Sequence, residues 1–169
     1  MNSSEVATGM RLALRRLAKA VVVITSRHNG VRFAMAATAV SELSLDPPSL
    51  LICVSQTASL HSPLTAGANF CVNILHSSQE DLARQCSGLS KGEQRFAVGN
   101  WDEATAGVPF LADAQASFVC LNEQHVSYGT HRIFMGRVVE VLTHGEVDPL
   151  IYVDQTYTGL GKLRAPSGP

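Results

Sequence analysis

The sequence predicts one mainly-β domain, a β-barrel carrying a few short helices. Three observations predict it. Six or more strand-like runs rich in Val, Ile, Phe and Thr recur along the chain, set apart by Gly, Pro and Asn turns. The strand–helix–strand alternation that a parallel sheet needs is missing. At 169 residues the chain has the size of one domain, and it shows no repeat or internal linker.

The elements follow in order. Residues 1–9 read as a flexible tail. Met10, Ala13, Leu14, Leu17 and Ala20 recur at helical spacing and predict a short amphipathic helix over 10–20. Residues 20–25 are β-branched strand, and Asn29-Gly30 is a strong hairpin signal returning the chain through a strand over 31–38. Asp46-Pro47-Pro48 makes a rigid corner ahead of a strand over 50–54. Thr57 can cap a short helix reaching residue 65, limited by Pro63. Residues 70–75 form a strand, and Ser77 with Glu80 spells a capping box for a helix over 78–86. Residues 87–100, rich in Gly and Ser with mixed charge, are the candidate functional loop. Residues 101–112 read as irregular chain. Two long strands over 116–126 and 131–142 meet around Tyr128-Gly129-Thr130, and a short strand over 150–153 follows Asp148-Pro149. Residues 161–169 read as a second flexible tail, leaving 10–160 as the folded domain.

Composition narrows the function. Only 16% of residues are charged, against about 25% in ordinary soluble domains. So few charges predict that some surface is hidden in an oligomer, a symmetric dimer being the commonest form. A net charge of −1 gives no general attraction to nucleic acid or anionic lipid. The basic residues between Arg11 and Arg32 read as a solvated helix face plus hairpin. No apolar run approaches the roughly 18 residues of a membrane span, and no signal peptide is visible. Cys53, Cys71, Cys86 and Cys120 lack zinc-type spacing. The expectation is a reduced cytoplasm and no metal site.

Motifs exclude more. No G-x-G-x-x-G follows a strand, and Gly88-Leu-Ser-Lys-Gly92 has the wrong spacing for a P-loop. Without a G-x-S-x-G elbow, nucleophilic hydrolysis has no support. What remains is a run of small residues, Phe33 to Ala39, against whose backbone a flat ligand can lie. Thr and Ser hydroxyls and freed backbone N–H groups suit phosphate or a heterocycle edge. Taken singly, each candidate has a structural reading. Ser41 and Ser44 beside Asp46-Pro47-Pro48 fit a turn, Arg95-Phe96 fits a surface arginine beside a core aromatic, and His131 fits a strand edge. Arg95 in a loop is equally suited to clamping phosphate with two parallel N–H bonds.

The order of these pieces carries more than any one of them. Met35-Ala-Ala-Thr-Ala-Val-Ser41, Ser44-Leu-Asp-Pro-Pro48, Cys53-Val-Ser55, Phe70-Cys-Val-Asn-Ile-Leu75, Gln94-Arg-Phe96, Gly107-Val-Pro109, Gly129-Thr-His131 with Gly136-Arg-Val138, and Pro149-Leu-Ile-Tyr152 follow one another over nearly the whole chain. In this the sequence resembles the flavin reductase-like family, and most of all the small reductase component of two-component flavin-dependent monooxygenases. The resemblance implies a split β-barrel of Greek-key type and a homodimer. It implies hydride transfer from NADH (NADPH being the alternative) to FAD or FMN, with reduced flavin released to a separate oxygenase. On this resemblance Met35, Ala36, Ala37 and Thr38 line the flavin. Ser41, Ser55 and Ser59 lie toward its ribityl-phosphate side, and Arg95 and Phe96 close over the phosphate or the rest of the nucleotide. His131 sits at the nicotinamide or flavin-ring side as the catalytic candidate, with Tyr157 at the same mouth. The family commonly has Asp where this chain has Thr130. That departure is the one feature favouring a second reading, a split-barrel flavin carrier or sensor without useful turnover.

Overall fold

The computed structural model describes residues 2–161. The chain opens with α1 (Ser3–Leu14), β1 (Lys19–Ala20), β2 (Val22–His28), β3 (Val31–Ala37), β4 (Val40–Leu45) and β5 (Pro48–Ser55). It continues through α2 (His61–Thr65), β6 (Phe70–Ile74) and α3 (Glu80–Arg84), which winds into a wider turn over Gln85–Leu89 and then a 3₁₀ turn over Gly92–Phe96. Last come β7 (Trp101–Glu103), β8 (Pro109–Leu111), β9 (Ala116–Tyr128), β10 (His131–Thr143), β11 (Ile151–Val153) and β12 (Thr156–Thr158).

Seven antiparallel strands form the main sheet in the order β3-β2-β6-β9-β10-β5-β4. Its two outermost strands, β3 and β4, are joined by Thr38 and Ala39 alone. So short a link forces the sheet to curl until its edges nearly meet. The Cys53 N–H donates to the Ala39 carbonyl at 3.0 Å on the far side of this seam. The result is the expected split barrel, open along the seam between β3 and β4.

The core explains the strand sequences. β2 is buried on both faces, which its β-branched run Val22-Val23-Ile24 allows. Ile24 joins Ile52, Val54, Leu60, Leu64, Phe70, Val72 and Phe134 inside the barrel. Val23 faces the other way, onto Leu75, Leu82, Cys86, Phe96, Leu111 and Leu150. The Asn29-Gly30 turn has φ of 50° and 78°, the left-handed pair that a two-residue hairpin needs.

Gly136 marks the tightest approach in the barrel. It lies at a register shift between β9 and β10, and a Cβ there would run into the Phe70 ring and Cys120. Gly136→Ala is therefore expected to cost about 1–3 kcal/mol, read as a fall in the urea midpoint. Phe70→Leu in the same chain should recover part of the loss, since it removes the ring that the new methyl meets.

The structure corrects several expectations. The helix predicted over 10–20 begins at Ser3 and ends at Leu14, so residues 3–9 are not a loose tail. Asn2 accepts from the Glu5 N–H at 2.9 Å and Glu5 returns the bond to the Asn2 N–H at 2.8 Å, closing a capping box. The box predicted at Ser77 does not form, because the Ser77 hydroxyl donates instead to Asp148 at 2.5 Å. Residues 101–112 contain the β7–β8 hairpin rather than irregular chain. The tail predicted from 161 lies outside the described residues beyond Gly161. None of the described helices is long and apolar enough to cross a membrane.

Candidate functional site

As the last strand on its side of the sheet, β3 leaves one row of backbone groups unpaired by β2. Residues of an antiparallel strand alternate in which side their N–H and C=O face. The Ala34 carbonyl faces outward, where it accepts from Arg95 Nη1 at 2.5 Å. By the same alternation the backbone of Ala36 also faces outward. Small side chains at Ala34, Ala36 and Ala37 leave that edge open to a flat ligand.

A cavity of about 520 Å³ runs along this edge, lined by Met35, Ala36, Thr57, Ser59, Lys91 and Arg95, among others. Its walls hold two cations, the hydroxyls of Thr57, Ser59 and Ser87, and no carboxylate. That donor set suits an anion. Arg95 is half-buried, and its Nε donates to the Ser90 carbonyl at 2.9 Å while Nη1 holds Ala34. It therefore staples the loop to the sheet edge and lines the cavity as well. Lys91 is exposed and forms no salt bridge among the described residues. Burial pushes the Cys86 thiol in the same wall up to about 11, so it stays protonated at neutral pH and is no nucleophile.

The loop is shaped by Gly88, whose φ of 128° ends the helical run after α3. It is held down by an ion pair of Arg32 with Glu93 and by the Arg32 guanidinium, 4.2 Å above the Phe96 ring. The hydrogen bond from Arg32 holds the Glu93 carboxyl below its usual range. The tether is thus intact at neutral pH and is lost only as pH falls through that lowered value.

A second cavity, about 380 Å³, continues along the edge past Ala36, Ala37 and Thr38 to Tyr152 and Tyr157. The two cavities share Ala36 and Ser87. Met35, Ala36, Ala37, Thr38, Ser59, Arg95 and Tyr157 are thus brought to one continuous edge. Ser55 and His131 line neither cavity, but they meet each other. They are direct register partners on β5 and β10, and the Ser55 hydroxyl shares a 3.0 Å hydrogen bond with Thr57. The Thr130 hydroxyl lies 2.9 Å from His131 Nδ1, so threonine supplies a hydrogen-bonding partner where the resembled family has an acid.

Two more of the expected residues do not join this edge. Phe96 is buried edge-on to Trp101, ring centroids 5.0 Å apart, and packs in the core. An apolar ring gains more from that burial than from a solvated cavity wall. Ser41 lines a different and larger groove, about 800 Å³, walled by Val40, Leu45, Leu50, Val138 and Val141. That groove touches the candidate site only through Thr38. Sequence reasoning missed Thr57, Ser87, Lys91 and Tyr152. For Lys91 a signal existed: the Gly88–Gly92 segment failed as a P-loop but still set a lysine between glycines in the candidate loop.

A split barrel whose seam edge borders an anion-suited cavity has the form of a binding protein for a small anionic ligand. Comparison with known proteins gives the family. The chain belongs to the family described as flavin reductase like domain, whose model matches residues 14–161. It is 36% identical over 162 residues to the FMN reductase (NADH) RutF of Methylorubrum populi, covering 96% of this chain and 79% of that one. Among solved structures it is similar to BorF, the flavin reductase component of a bacterial two-component tryptophan halogenase. The TM-score is 0.84 and the identity 28%, covering 93% of this chain and 99% of that one. The NADH:FAD oxidoreductase SgcE6 of Streptomyces globisporus superposes with a TM-score of 0.86 at 25% identity, covering 100% and 95%.

Proposed function

We propose that the protein is an NADH-dependent flavin reductase that takes flavin as a dissociable substrate and passes it, reduced, to a separate oxygenase. One observation carries this reading: the outward backbone edge of β3, floored by alanines, borders a carboxylate-free cavity bearing Lys91 and Arg95. Bound there, flavin supplies the acceptor for a hydride from reduced nicotinamide. The protein's task is then to bind and orient rather than to attack. Ala36 offers an N–H and a carbonyl to the heterocycle edge. Lys91, Arg95 and Ser59 receive the phosphate. His131, paired with Thr130, would meet the nicotinamide or the flavin ring from outside the cavity lining. The curated relative is named for FMN and NADH, SgcE6 for NADH and FAD, and BorF for its two-component system.

The test is oxidation of NADH with and without added FMN or FAD. Turnover should require flavin. Tight flavin binding with no turnover would favour the carrier reading instead. His131→Ala should lower kcat or raise KM for NADH about tenfold, the scale of one lost hydrogen bond. If both constants hold, His131 is a strand-edge residue only.

The same reading includes a homodimer in a reduced cytoplasm. All four cysteines are free thiols. Helix α1 buries none of its residues, leaving Val6, Met10 and Leu12 more than half exposed, and the apolar groove beside β4 is unfilled by this chain. A second copy can cover both. Light scattering should give twice the chain mass, and Val141→Asp in the groove should shift it toward the monomer.

A further inference from the structure

From Pro47 to Gln79 the chain carries no Asp, Glu, Lys or Arg. His61 falls inside this stretch, as the first residue of α2. Its Nε2 is closed off from solvent and finds no hydrogen-bond partner among the described residues. Its ring stands at 71° to that of Phe134, centroids 6.0 Å apart, and His125 meets the same Phe134 ring at 5.7 Å. Two imidazoles thus share one buried phenyl ring at the end of the barrel, where α2 seats Leu60 and Leu64 in the core.

No negative charge faces them. Arg132, two residues before Phe134 on β10, is held by hydroxyls: Nη1 donates to Thr65 of α2 at 2.9 Å and Nε to Ser127 at 3.0 Å. It forms no salt bridge among the described residues. Glu123 on β9 is taken by Arg137 at 2.6 Å. β2, which also packs on α2, turns Ile24, Ser26 and His28 to this side by strand alternation. Burial first, then Arg132 and His125, holds the His61 imidazole below its usual 6.5.

A proton on His61 would meet repulsion and no acceptor. Phe134, at 6.0 Å, lies at the outer limit of a cation–π contact. Swinging out to water is the way left to hold the charge. The backbone cannot stay behind. The His61 N–H donates to the Ala58 carbonyl at 3.0 Å, and the Ala58 N–H to the Ser55 carbonyl at 3.0 Å. Asn122 pins the other end of α2 through the Leu64 carbonyl at 2.8 Å. Movement at His61 therefore passes to Thr57, Ala58 and Ser59, which line the anion-suited cavity.

We propose that His61 is a positioning residue that responds to protons. Uncharged, it seats the first turn of α2 and with it the Thr57–Ser59 wall; charged, it turns out to water and displaces both. The proposal rests on the flavin reading of that cavity. With the turn displaced, the imidazole regains its ordinary value of 6.5, so the seated form is complete above 6.5 and is lost as pH falls through the lowered value. Flavin affinity falls with it.

The experiment compares wild type with His61→Phe, which keeps a ring against Phe134, and His61→Asn; neither variant side chain titrates. FMN affinity is read by flavin fluorescence from about pH 7.5 to about pH 5.5. The FMN phosphate takes up its own proton at about pH 6, so wild type is always read relative to the variants at the same pH. Backbone hydrogen exchange over residues 57–66 is read without flavin. Relative affinity of the wild type should fall about tenfold across this range, within the limit that one proton sets. The amides should lose protection with acid in wild type alone. Equal profiles in all three proteins overturn the proposal and leave His61 a packing residue. Lost protection without lost relative affinity overturns the positioning role as well. If wild type binds no FMN at any pH, the flavin reading falls and exchange decides alone. Protection lost only in wild type then retains the proton response, and equal protection removes it. Should both variants fail to fold, proton NMR of wild type decides. A His61 ring titrating at 6.5 or above overturns the proposal, and one titrating below it, in step with the lost protection, retains it.

Discussion

Asn73→Leu is expected to destabilise the protein by about 4 kcal/mol, among the largest effects of any single change. The side chain is fully buried. Its Nδ2 donates to the Val23 carbonyl at 2.9 Å and to Thr25 Oγ1 at 3.3 Å. Its Oδ1 accepts from the Leu111 N–H at 2.8 Å and the Ser117 hydroxyl at 2.9 Å. One amide therefore ties β2, β6, β8 and β9 together. Leucine keeps the branched outline of the side chain but leaves those partners buried and unpaired, each at about 1–3 kcal/mol when water is excluded. Thr25→Val should cost less, since Asn73 keeps its stronger bonds and only the Pro109 carbonyl, to which the Thr25 hydroxyl donates at 2.5 Å, loses its partner. The readout is the urea midpoint at constant slope. A midpoint within error of wild type for Asn73→Leu would mean that the network contributes nothing beyond packing.

Arg95→Ala should weaken flavin affinity by about 1.5–3 kcal/mol, roughly ten- to a hundredfold. Two losses combine. The cavity loses a guanidinium, and the loop loses the bonds that hold Ser90 and Ala34. Lys91→Ala removes charge without touching the staple. Its loss should be smaller and should vanish as salt rises, because an exposed lysine is screened. Fluorescence titration with FMN at low and high salt distinguishes them. Unchanged affinity in Arg95→Ala would take Arg95 out of the site.

Much of the barrel was legible because its signals are local. The β9–β10 pair carries long alternating runs around one glycine turn, and Asn29-Gly30 can hardly be anything but a hairpin. Short strands were harder. β7, β8 and β12 have three residues each, too few to show a period. Two capping patterns of the same form had opposite fates. Asn2 and Glu5 close theirs because nothing else competes, whereas Ser77 is claimed by Asp148, 71 residues along the chain. The candidate site divides in the same way. The alanine run could be read directly, since smallness is a property of the residues. That Thr57, Ser87, Lys91 and Tyr152 come to line that edge depends on how the sheet curls, which no local pattern encodes. Phe96 shows the limit: the sequence places it beside Arg95, and only the packing sends the two side chains in different directions.

The two-residue link across the seam has a consequence for how this gene can vary. Thr38 and Ala39 set a fixed gauge between the sheet's opposite edges, and every residue of β4 counts its facing from them. One inserted residue would swap the inward and outward faces of β4, turning Val40 out and Ser41 in, while loosening the floor of the neighbouring cavities. An insertion near Gly145, in the bend between β10 and β11, would move neither. Lineages that retool this barrel for new ligands should therefore change side chains along the seam and lengthen the chain elsewhere, leaving the count between β3 and β4 untouched.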